Sequence, residues 1–238
     1  MPEFPSLPMP RPPIWYLQAV ELFEGVSEED MHEMVAGVID RTYEKKEYVY
    51  TQQDRVENVY VLKEGEVTLF KSTGEGKHII LDILKPGAVF GNIGFDPDAG
   101  DLHYAEVTQK AYLCTLPQNY FLQILAQRPD IALRVLNILS KRLRQYEMQI
   151  RALSSLRARD RILATIRLLN EKDGESILPE VLRRPTRMTH ERLGNMVGLS
   201  RETATKQLGE LQGEGLIEVR QKTIRLTESG QRAVAALA

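Results

Sequence analysis

The spacing of apolar residues changes near residue 41 and again near residue 117. Before the first change the pattern is helical, with Val20, Leu22 and Phe23 ahead of a break at Gly25. Ser27 precedes three acidic residues, which is typical of the capped start of a second short helix. Residues 1–14 are rich in proline and are predicted to form an extended arm.

Between 41 and 117, short runs rich in Val, Ile, Tyr and Thr alternate with turn residues. The predicted strands are 48–51, 59–62, 67–71, 78–84 and 111–116. The predicted turns are Glu64-Gly65, 74–76, Pro86-Gly87 and 96–100. Short strands at this even spacing predict a small antiparallel barrel, roll or sandwich.

The helical period returns after Pro117, first from 119 to about 127 and then, beyond Pro129, toward residue 153. In the longer segment apolar residues recur in alternating steps of three and four: Leu136, Leu139, Leu143, Tyr146, Ile150 and Leu153. So narrow an apolar stripe favours a seam between two copies of the chain over an amphipathic helix packed on its own domain. We therefore predict a dimerisation helix over 129–156.

Residues 189–212 have the sequence THERLGNMVGLSRETATKQLGELQ. Thr189 and Ser200 are good N-caps for two successive helices. Gly194 is small, as a close helix crossing requires, and Gly198 can take the positive φ of a sharp turn. This order of residues predicts a helix-turn-helix, whose second helix enters the major groove of DNA.

The outward side of the second predicted helix carries polar residues: Arg201, Glu202, Thr203, Lys206 and Gln207. An arginine there can make a bidentate contact to guanine, and a glutamate can accept from cytosine. Two short apolar runs around residues 220–222 suggest the β-hairpin wing of a winged helix. A helical hairpin with no DNA role could share the apolar spacing, but the ordered glycines, the cationic surface and the wing favour DNA binding.

The composition is that of an ordinary globular protein, with 238 residues of which 42% are hydrophobic and 27% charged. Residues 1–140 carry 12 Lys and Arg against 21 Asp and Glu, whereas 141–238 carry 19 against 12. The basic second part fits contact with a polyanion, or simple surface asymmetry. Six prolines among the first 13 residues oppose a signal peptide, and no apolar run approaches the ~20 residues that span a bilayer. We expect a cytoplasmic location and no membrane partner.

The segment LGNMVGLSRETATKQL resembles the helix-turn-helix of the cyclic-AMP receptor protein and fumarate–nitrate regulator (CRP/FNR) family. The resemblance covers the chain after about residue 15 and implies an α+β fold. Its expected parts are an antiparallel β-roll of cyclic-nucleotide-binding type at 15–128, the dimerisation helix at 129–156 and a winged helix-turn-helix at 157–238. Gln207, where an aliphatic residue is usual, and Gly209, inside a helix, depart from the family pattern.

The resemblance also implies roles and partners. A homodimer would bind double-stranded DNA at a near-palindromic site, with RNA polymerase as a further partner. The residues expected to face base edges are Arg201, Glu202 and Lys206, and those expected to hold phosphates are Thr189, Ser200 and Thr203.

The expected effector differs from that of the cyclic-nucleotide-binding members, which use a Gly-Glu pair for ribose and an Arg-Ser pair for the cyclic phosphate. Here Gly91-Asn92 and His103-Tyr104 occupy those places, and no arginine lies between Lys77 and Arg128. A buried cyclic phosphate would lack a cationic partner, so cyclic AMP is not expected to bind and no cofactor is predicted. On the long helix, Tyr146 and Glu147 replace the adenine-contacting threonine and serine. The candidate effector-pocket residues are Asn92, His103, Tyr104 and Tyr146.

Other chemistry is disfavoured. His78 and His103 are lone histidines, which are seldom haem ligands. Cys114, the single cysteine, lies in an apolar run and is predicted to be a buried, inert thiol. The sequence has no nucleophile elbow, phosphate loop or metal-spaced ligand set, so an enzyme is the weakest hypothesis. The leading hypothesis is a regulator independent of cyclic AMP, either without effector or with another small molecule. The alternative is an architectural DNA-binding protein.

Overall fold

The computed structural model describes residues 20–34, 37–73, 78–93, 103–155, 157–174 and 185–237. The predicted proline-rich arm and the predicted turns at 74–76 and 96–100 lie outside the described residues.

In the described N-terminal residues, a 3-10 turn, Glu21–Phe23, is followed by helix α1, Glu28–Met34. The Ser27 hydroxyl accepts a hydrogen bond from the Asp30 backbone N–H at 3.1 Å, which confirms the predicted cap. The pattern ahead of Gly25 forms only the 3-10 turn in the described residues, with Leu22 and Phe23 buried. This segment covers one end of the β domain.

The β domain is a six-stranded antiparallel sheet. Its strands are β1 (Ile39–Tyr43), β2 (Tyr48–Tyr50), β3 (Asn58–Ser72), β4 (His78–Leu84), β5 (Val89–Gly91) and β6 (Tyr104–Pro117). The order is β1-β6-β3-β4, and the short strands β2 and β5 pair with β6 and β3. The antiparallel β fold expected from the sequence is therefore confirmed.

The predicted turn at Glu64-Gly65 is wrong, because both residues lie inside the long strand β3. Gly65 has a φ of +93°, and the register between β3 and β6 shifts on both sides of Glu66. A β-carbon on Gly65 would collide with the carbonyl oxygen of Lys110. Here glycine permits a β-bulge within a continuing strand. A glycine at a bulge and a glycine at a turn look the same in the sequence. Strands β1, β5 and the first half of β6 were not predicted.

Among the described residues after β6, the regular elements are helices and one hairpin. The helices are α2 (Gln118–Gln127), α3 (Pro129–Ser155), α4 (Ala158–Gly174), α5 (His190–Val197), α6 (Arg201–Gly213) and α7 (Glu228–Ala235). The hairpin consists of β7 (Ile217–Arg220) and β8 (Thr223–Leu226). Pro129 begins α3, where its missing N–H costs no intrahelical hydrogen bond. The long helix expected over 129–156 thus forms with nearly the predicted bounds.

Apolar packing links the β domain to both helical regions. One cluster joins β3 and β6 to α1, α2 and the start of α3, with Phe121 and Ile131 fully buried. Another cluster joins Phe70, Ile80 and Ile83 of the sheet to α4, α5 and α6. The helix-turn-helix therefore shares a core with strands β3 and β4.

Candidate nucleic-acid interface

Helices α5 and α6 are each started by the predicted cap. The Thr189 hydroxyl accepts from the Arg192 N–H at 3.1 Å, and the Ser200 hydroxyl accepts from the Thr203 N–H at 3.2 Å. Gly198 ends α5 with a φ of +65°, in the left-handed region that glycine adopts without strain. The local signals of the helix-turn-helix are therefore confirmed one by one.

The packing of the two helices leaves a polar face of α6 in solvent. Leu193 and Val197 of α5 are buried, together with Ala204, Leu208 and Leu211 of α6. The opposite side of α6 exposes Arg201, Glu202, Thr203 and Lys206. Gln207 is half-buried and donates to the Glu210 carboxylate at 2.7 Å. This face has the donors and acceptors needed to contact base edges.

Glu202 lies in the first turn of α6, where the exposed backbone N–H groups favour negative charge. Its own backbone N–H and then the Ser200 hydroxyl lower the pKa of the Glu202 carboxyl below its ordinary value. An ionised Glu202 is a hydrogen-bond acceptor only, which suits the amino group of cytosine.

The predicted wing is present as the β7–β8 hairpin, with Arg220 paired to Thr223. Its two turn residues, Gln221 and Lys222, both have positive φ, as a tight two-residue hairpin requires. The Lys222 carbonyl accepts from the Met188 N–H at 2.7 Å. This bond ties the wing tip to the residue before the α5 cap.

The exposed stripe predicted on α3 is also present. Leu136, Leu143 and Ile150 are 59%, 59% and 66% exposed, and Leu139 and Leu153 are exposed as well. Tyr146 is half-buried. Burial raises the pKa of its phenol, and the nearby charge of Asp82 in β4 raises it further. An apolar stripe of this size on one helix is unusual for a surface that faces only water.

The four effector-pocket candidates have different neighbours in the structure. Asn92 donates from its side chain to the Val56 carbonyl at 3.1 Å, and His103 Nε2 lies 2.9 Å from the Tyr50 hydroxyl. The Tyr104 ring stacks on Phe70 with centroids 5.0 Å apart. These contacts all lie within the β domain, with Asn92 just after β5, His103 just before β6 and Tyr104 at the start of β6.

A separate cleft of about 990 Å³ lies between α3 and the turn that joins β4 to β5. The cations that line it are Lys85, Lys141, Arg142, Arg144, Arg151 and Lys172. This cleft was not predicted from the sequence, because its cations come from three separate segments. Carboxylates compensate several of them: Lys85 pairs with Glu66 and Asp173, Lys141 with Glu21, and Lys172 with Asp82.

Cys114 is fully buried and donates to the Asp40 carboxylate at 3.2 Å. Burial raises the pKa of its thiol to about 12, which agrees with the predicted inert thiol. Among the described residues, no three His, Cys, Asp or Glu side chains form a group able to hold a metal ion. No helix in that part of the chain combines the length and apolarity needed to cross a membrane.

An antiparallel sensor-like sheet, a long exposed helix and a winged helix-turn-helix together define a DNA-binding regulator. The sequence model of the cyclic nucleotide-binding domain matches residues 40–128, and that of the Crp-like helix-turn-helix domain matches 160–229. The chain belongs to the cyclic-AMP receptor protein and fumarate–nitrate regulator family of transcription regulators.

Individual relatives agree with this assignment. The chain is 25% identical over 209 residues to the cyclic AMP receptor protein of Thermus thermophilus, covering 87% of this chain and 93% of that protein. It is 29% identical over 188 residues to the cAMP-activated global transcriptional regulator CRP of Pasteurella multocida, covering 76% and 87%. The solved structure of FixK2 from Bradyrhizobium japonicum has the same fold, with a TM-score of 0.71 at 20% identity over 84% of this chain and 96% of that chain.

Proposed function

We propose that this protein is a homodimeric, sequence-specific transcription regulator whose DNA binding does not depend on cyclic AMP. The observation that carries the proposal is the exposed polar face of α6, held on a capped and glycine-turned helix pair. The polar face of α6 lies opposite the apolar side by which α6 packs on α5. It can therefore enter a major groove without unfolding any described element.

The contacts divide into two kinds. Arg201, Glu202 and Lys206 would face base edges, because they occupy the exposed side of α6. The Thr189 and Ser200 hydroxyls both accept from backbone N–H groups in the free protein. Each can also donate its own proton, and the Ser200 hydroxyl, which contacts Glu202 in the free protein, would donate to a phosphate oxygen instead when DNA is bound. Thr203 lies in the same first turn as Ser200 and would add a third phosphate contact. Helix N-termini also favour phosphate electrostatically.

The dimer would form through α3. The exposed leucines and Ile150 repeat with the spacing of a two-stranded coiled coil, and a second copy of the chain offers the same stripe in return. Two recognition helices related by a two-fold axis would then meet half-sites about 34 Å apart on a near-palindromic site. RNA polymerase as a further partner is supported by family membership alone.

Independence of cyclic AMP is supported by the contacts of the aligned residues. Asn92 lacks the charge of the glutamate that meets ribose, and its amide already donates to Val56. His103 and Tyr104 stand where an arginine and a serine would meet the phosphate, and both pack on other rings. A cyclic phosphate buried there would meet no permanent cation from these residues.

Selection of bound sequences from random DNA tests the proposal, with each variant measured on the selected site and on unrelated DNA. Arg201→Ala is expected to lose about 1–3 kcal/mol on the selected site and to relax the base preference there. Arg167→Ala removes an exposed α4 arginine paired with Glu171 and is the matched control, which should bind as the unaltered protein does. Equal loss on both DNAs would make Arg201 a phosphate contact. Failure to enrich any sequence would favour the architectural alternative.

A further inference from the structure

Glu66 is a buried carboxylate at the junction between the sheet and the helix-turn-helix. Its side chain is 1% exposed, and its Oε1 lies 2.8 Å from Arg192 Nη1. Arg192 belongs to α5, and its second nitrogen, Nη2, donates to the Thr68 hydroxyl of β3 at 2.5 Å. Only 14% of the Arg192 side chain is exposed. One guanidinium group of the DNA-binding part is therefore held by two side chains of a single strand.

The backbone conformation around Glu66 directs its side chain toward this junction. Register shifts flank Glu66 on both sides in the β3–β6 pairing, and Gly65 before it has a φ of +93°. Bulges of this kind redirect a side chain that a regular strand would place elsewhere. Thr108 of β6 then donates to Glu66 Oε1 at 2.7 Å and fixes the carboxylate within its own sheet.

Glu66 also takes part in a second ionic contact between the sheet and the helical region, through Lys85. Lys85, which is 10% exposed in its side chain, lies 3.0 Å from both Glu66 Oε2 and Asp173 Oδ1. Asp173 is near the end of α4 and accepts from the Thr186 N–H at 2.9 Å and from its hydroxyl at 2.7 Å. A separate pair joins Lys172 of α4 to Asp82 of β4. The end of α4 and the start of α5 are thus both held on β3 and β4.

These contacts leave the proposed DNA-contacting residues free. The Arg192 backbone N–H donates to the Thr189 hydroxyl, so the ion pair immobilises the same helical turn that is proposed to meet phosphate. Thr189 itself is exposed, as are Arg201 and Lys206 on α6. The docked arrangement is therefore compatible with DNA binding.

We propose that Glu66 and Arg192 are positioning residues for DNA recognition, an inference that rests on the proposed function. Their ion pair holds the helix-turn-helix on the sheet in its DNA-binding orientation, and no ligand is needed for this. When only a fraction of the molecules has its recognition helices in the DNA-binding orientation, the apparent affinity for DNA falls by that fraction. A dimer in which both helices already have that orientation avoids this loss. The buried pair also resists partial separation, because an unpaired buried charge is strongly unfavourable.

The test measures the distance between the two parts and the DNA affinity on the same variants. Spin labels on Lys71→Cys in β3 and Gln212→Cys in α6 report the separation, because both positions are exposed and Cys114 is too buried to be labelled. Labelled chains are diluted with unlabelled chains, so that only distances within one chain are recorded. The unaltered pair should give one narrow distance distribution.

Arg192→Gln and Glu66→Gln are each expected to broaden that distribution and to weaken binding to the selected site roughly tenfold, a typical size for coupling between sites. Binding to unrelated DNA should change little, since neither residue lies on the exposed α6 face. The double variant should lose less affinity than the sum of the losses in the two single variants, because both of those remove the Glu66–Arg192 interaction. Arg192→Lys keeps the charge and should restore most of the narrow distribution. Arg167→Gln is the control and should match the unaltered protein in both measurements.

Glu66→Gln also removes a carboxylate that Thr108 and Lys85 contact. Thr68→Val is a milder variant, since it removes a single hydroxyl, which accepts from Arg192 and lies 3.4 Å from the Thr108 hydroxyl, and it should broaden the distribution less. An unchanged distribution in both Arg192→Gln and Glu66→Gln would overturn the proposal. So would a broadened distribution with unaltered affinity for the selected site. If the unaltered protein selects no DNA sequence, the proposed function fails, whereas the distance measurement still decides whether the ion pair holds the two parts together.

Discussion

Gly194 lies so close to Leu199 that a β-carbon on Gly194 would sit 2.7 Å from the Leu199 carbonyl oxygen. Because that oxygen belongs to the backbone of the turn between α5 and α6, Gly194→Ala can be accommodated only by moving the two helices apart. We expect Gly194→Ala to lower the free energy of unfolding by about 1–3 kcal/mol, the usual cost of overpacking. Urea denaturation measures this change.

Gly209 provides the matched control, since it also lies within a helix but a β-carbon there would meet nothing within 4 Å. Gly209→Ala should raise the free energy of unfolding by about 0.5–1 kcal/mol through helix propensity alone. Equal effects of the two substitutions would contradict the close crossing at Gly194.

Leu143→Lys should shift the protein toward monomer, because it places a pair of facing charges within the proposed α3 seam. Met148→Lys is the control: Met148 is 58% exposed, against 59% for Leu143, but it lines the cleft on the other side of α3. Sedimentation equilibrium at several concentrations distinguishes the two. A Leu143→Lys protein that remains dimeric would place the dimer interface elsewhere.

Cyclic AMP at micromolar concentration should give no binding heat at pH 7 and no change in DNA affinity. The aligned residues His103 and Tyr104 offer no permanent cation to the phosphate, although the imidazole of His103 becomes a cation when it is protonated. Calorimetry repeated near pH 5.5, with His103→Gln as control, tests whether protonation creates a site. Micromolar binding at pH 7 would refute independence of cyclic AMP.

Cys114 should resist alkylation by iodoacetamide at pH 8 in the folded protein and react rapidly in denaturing urea. Its thiol has a pKa raised to about 12 by burial, so almost no thiolate is present at that pH. The raised pKa also stabilises the folded state below the ordinary thiol pKa, and this contribution is lost as the pH rises toward 12. Mass spectrometry of the alkylated protein over time decides the point, and fast labelling without urea would show that Cys114 is accessible.

Glu66→Gln should lower the free energy of unfolding by about 3–5 kcal/mol at pH 7, as expected when one partner of a buried ion pair is removed. Burial opposes ionisation of Glu66, but the charges of Arg192 and then Lys85 outweigh it and lower the pKa of the carboxyl. A lowered folded-state pKa stabilises the protein above the ordinary carboxyl pKa, and this contribution disappears as the pH falls through the folded-state value. The difference between the unaltered protein and Glu66→Gln should therefore shrink below about pH 4.5. A difference that does not vary with pH would show that the charge of Glu66 is not what matters.

The helix-turn-helix was predictable from sequence because its determinants are local. A cap acts on a residue three positions away, as Thr189 does on Arg192, and a left-handed turn needs only a residue such as Gly198. The stripe on α3 was predictable for a similar reason, since side chains three and four positions apart share one face of a helix.

The local sequence was not enough to predict the structure where one residue type fits two backbone geometries. Gly65 follows an acidic residue between two apolar runs, a pattern that fits a turn as well as a bulge. Pairing with β6 on both sides decided in favour of the bulge, and β6 itself begins 39 positions later, at Tyr104. The short strands β1 and β5 likewise exist because neighbours distant in sequence complete their hydrogen bonds.

The sequence by itself determined the exposed polar face of α6, the caps around it and the apolar stripe of the long helix, because each depends on residues within a turn or two of one another. Only the tertiary structure decided how that face is held. Glu66 and Arg192 are separated by 126 positions, and neither carries a local pattern that singles it out. A buried ion pair arises when two surfaces meet and exclude water, so its existence depends on the packing of β3 against α5 rather than on the residues beside either partner.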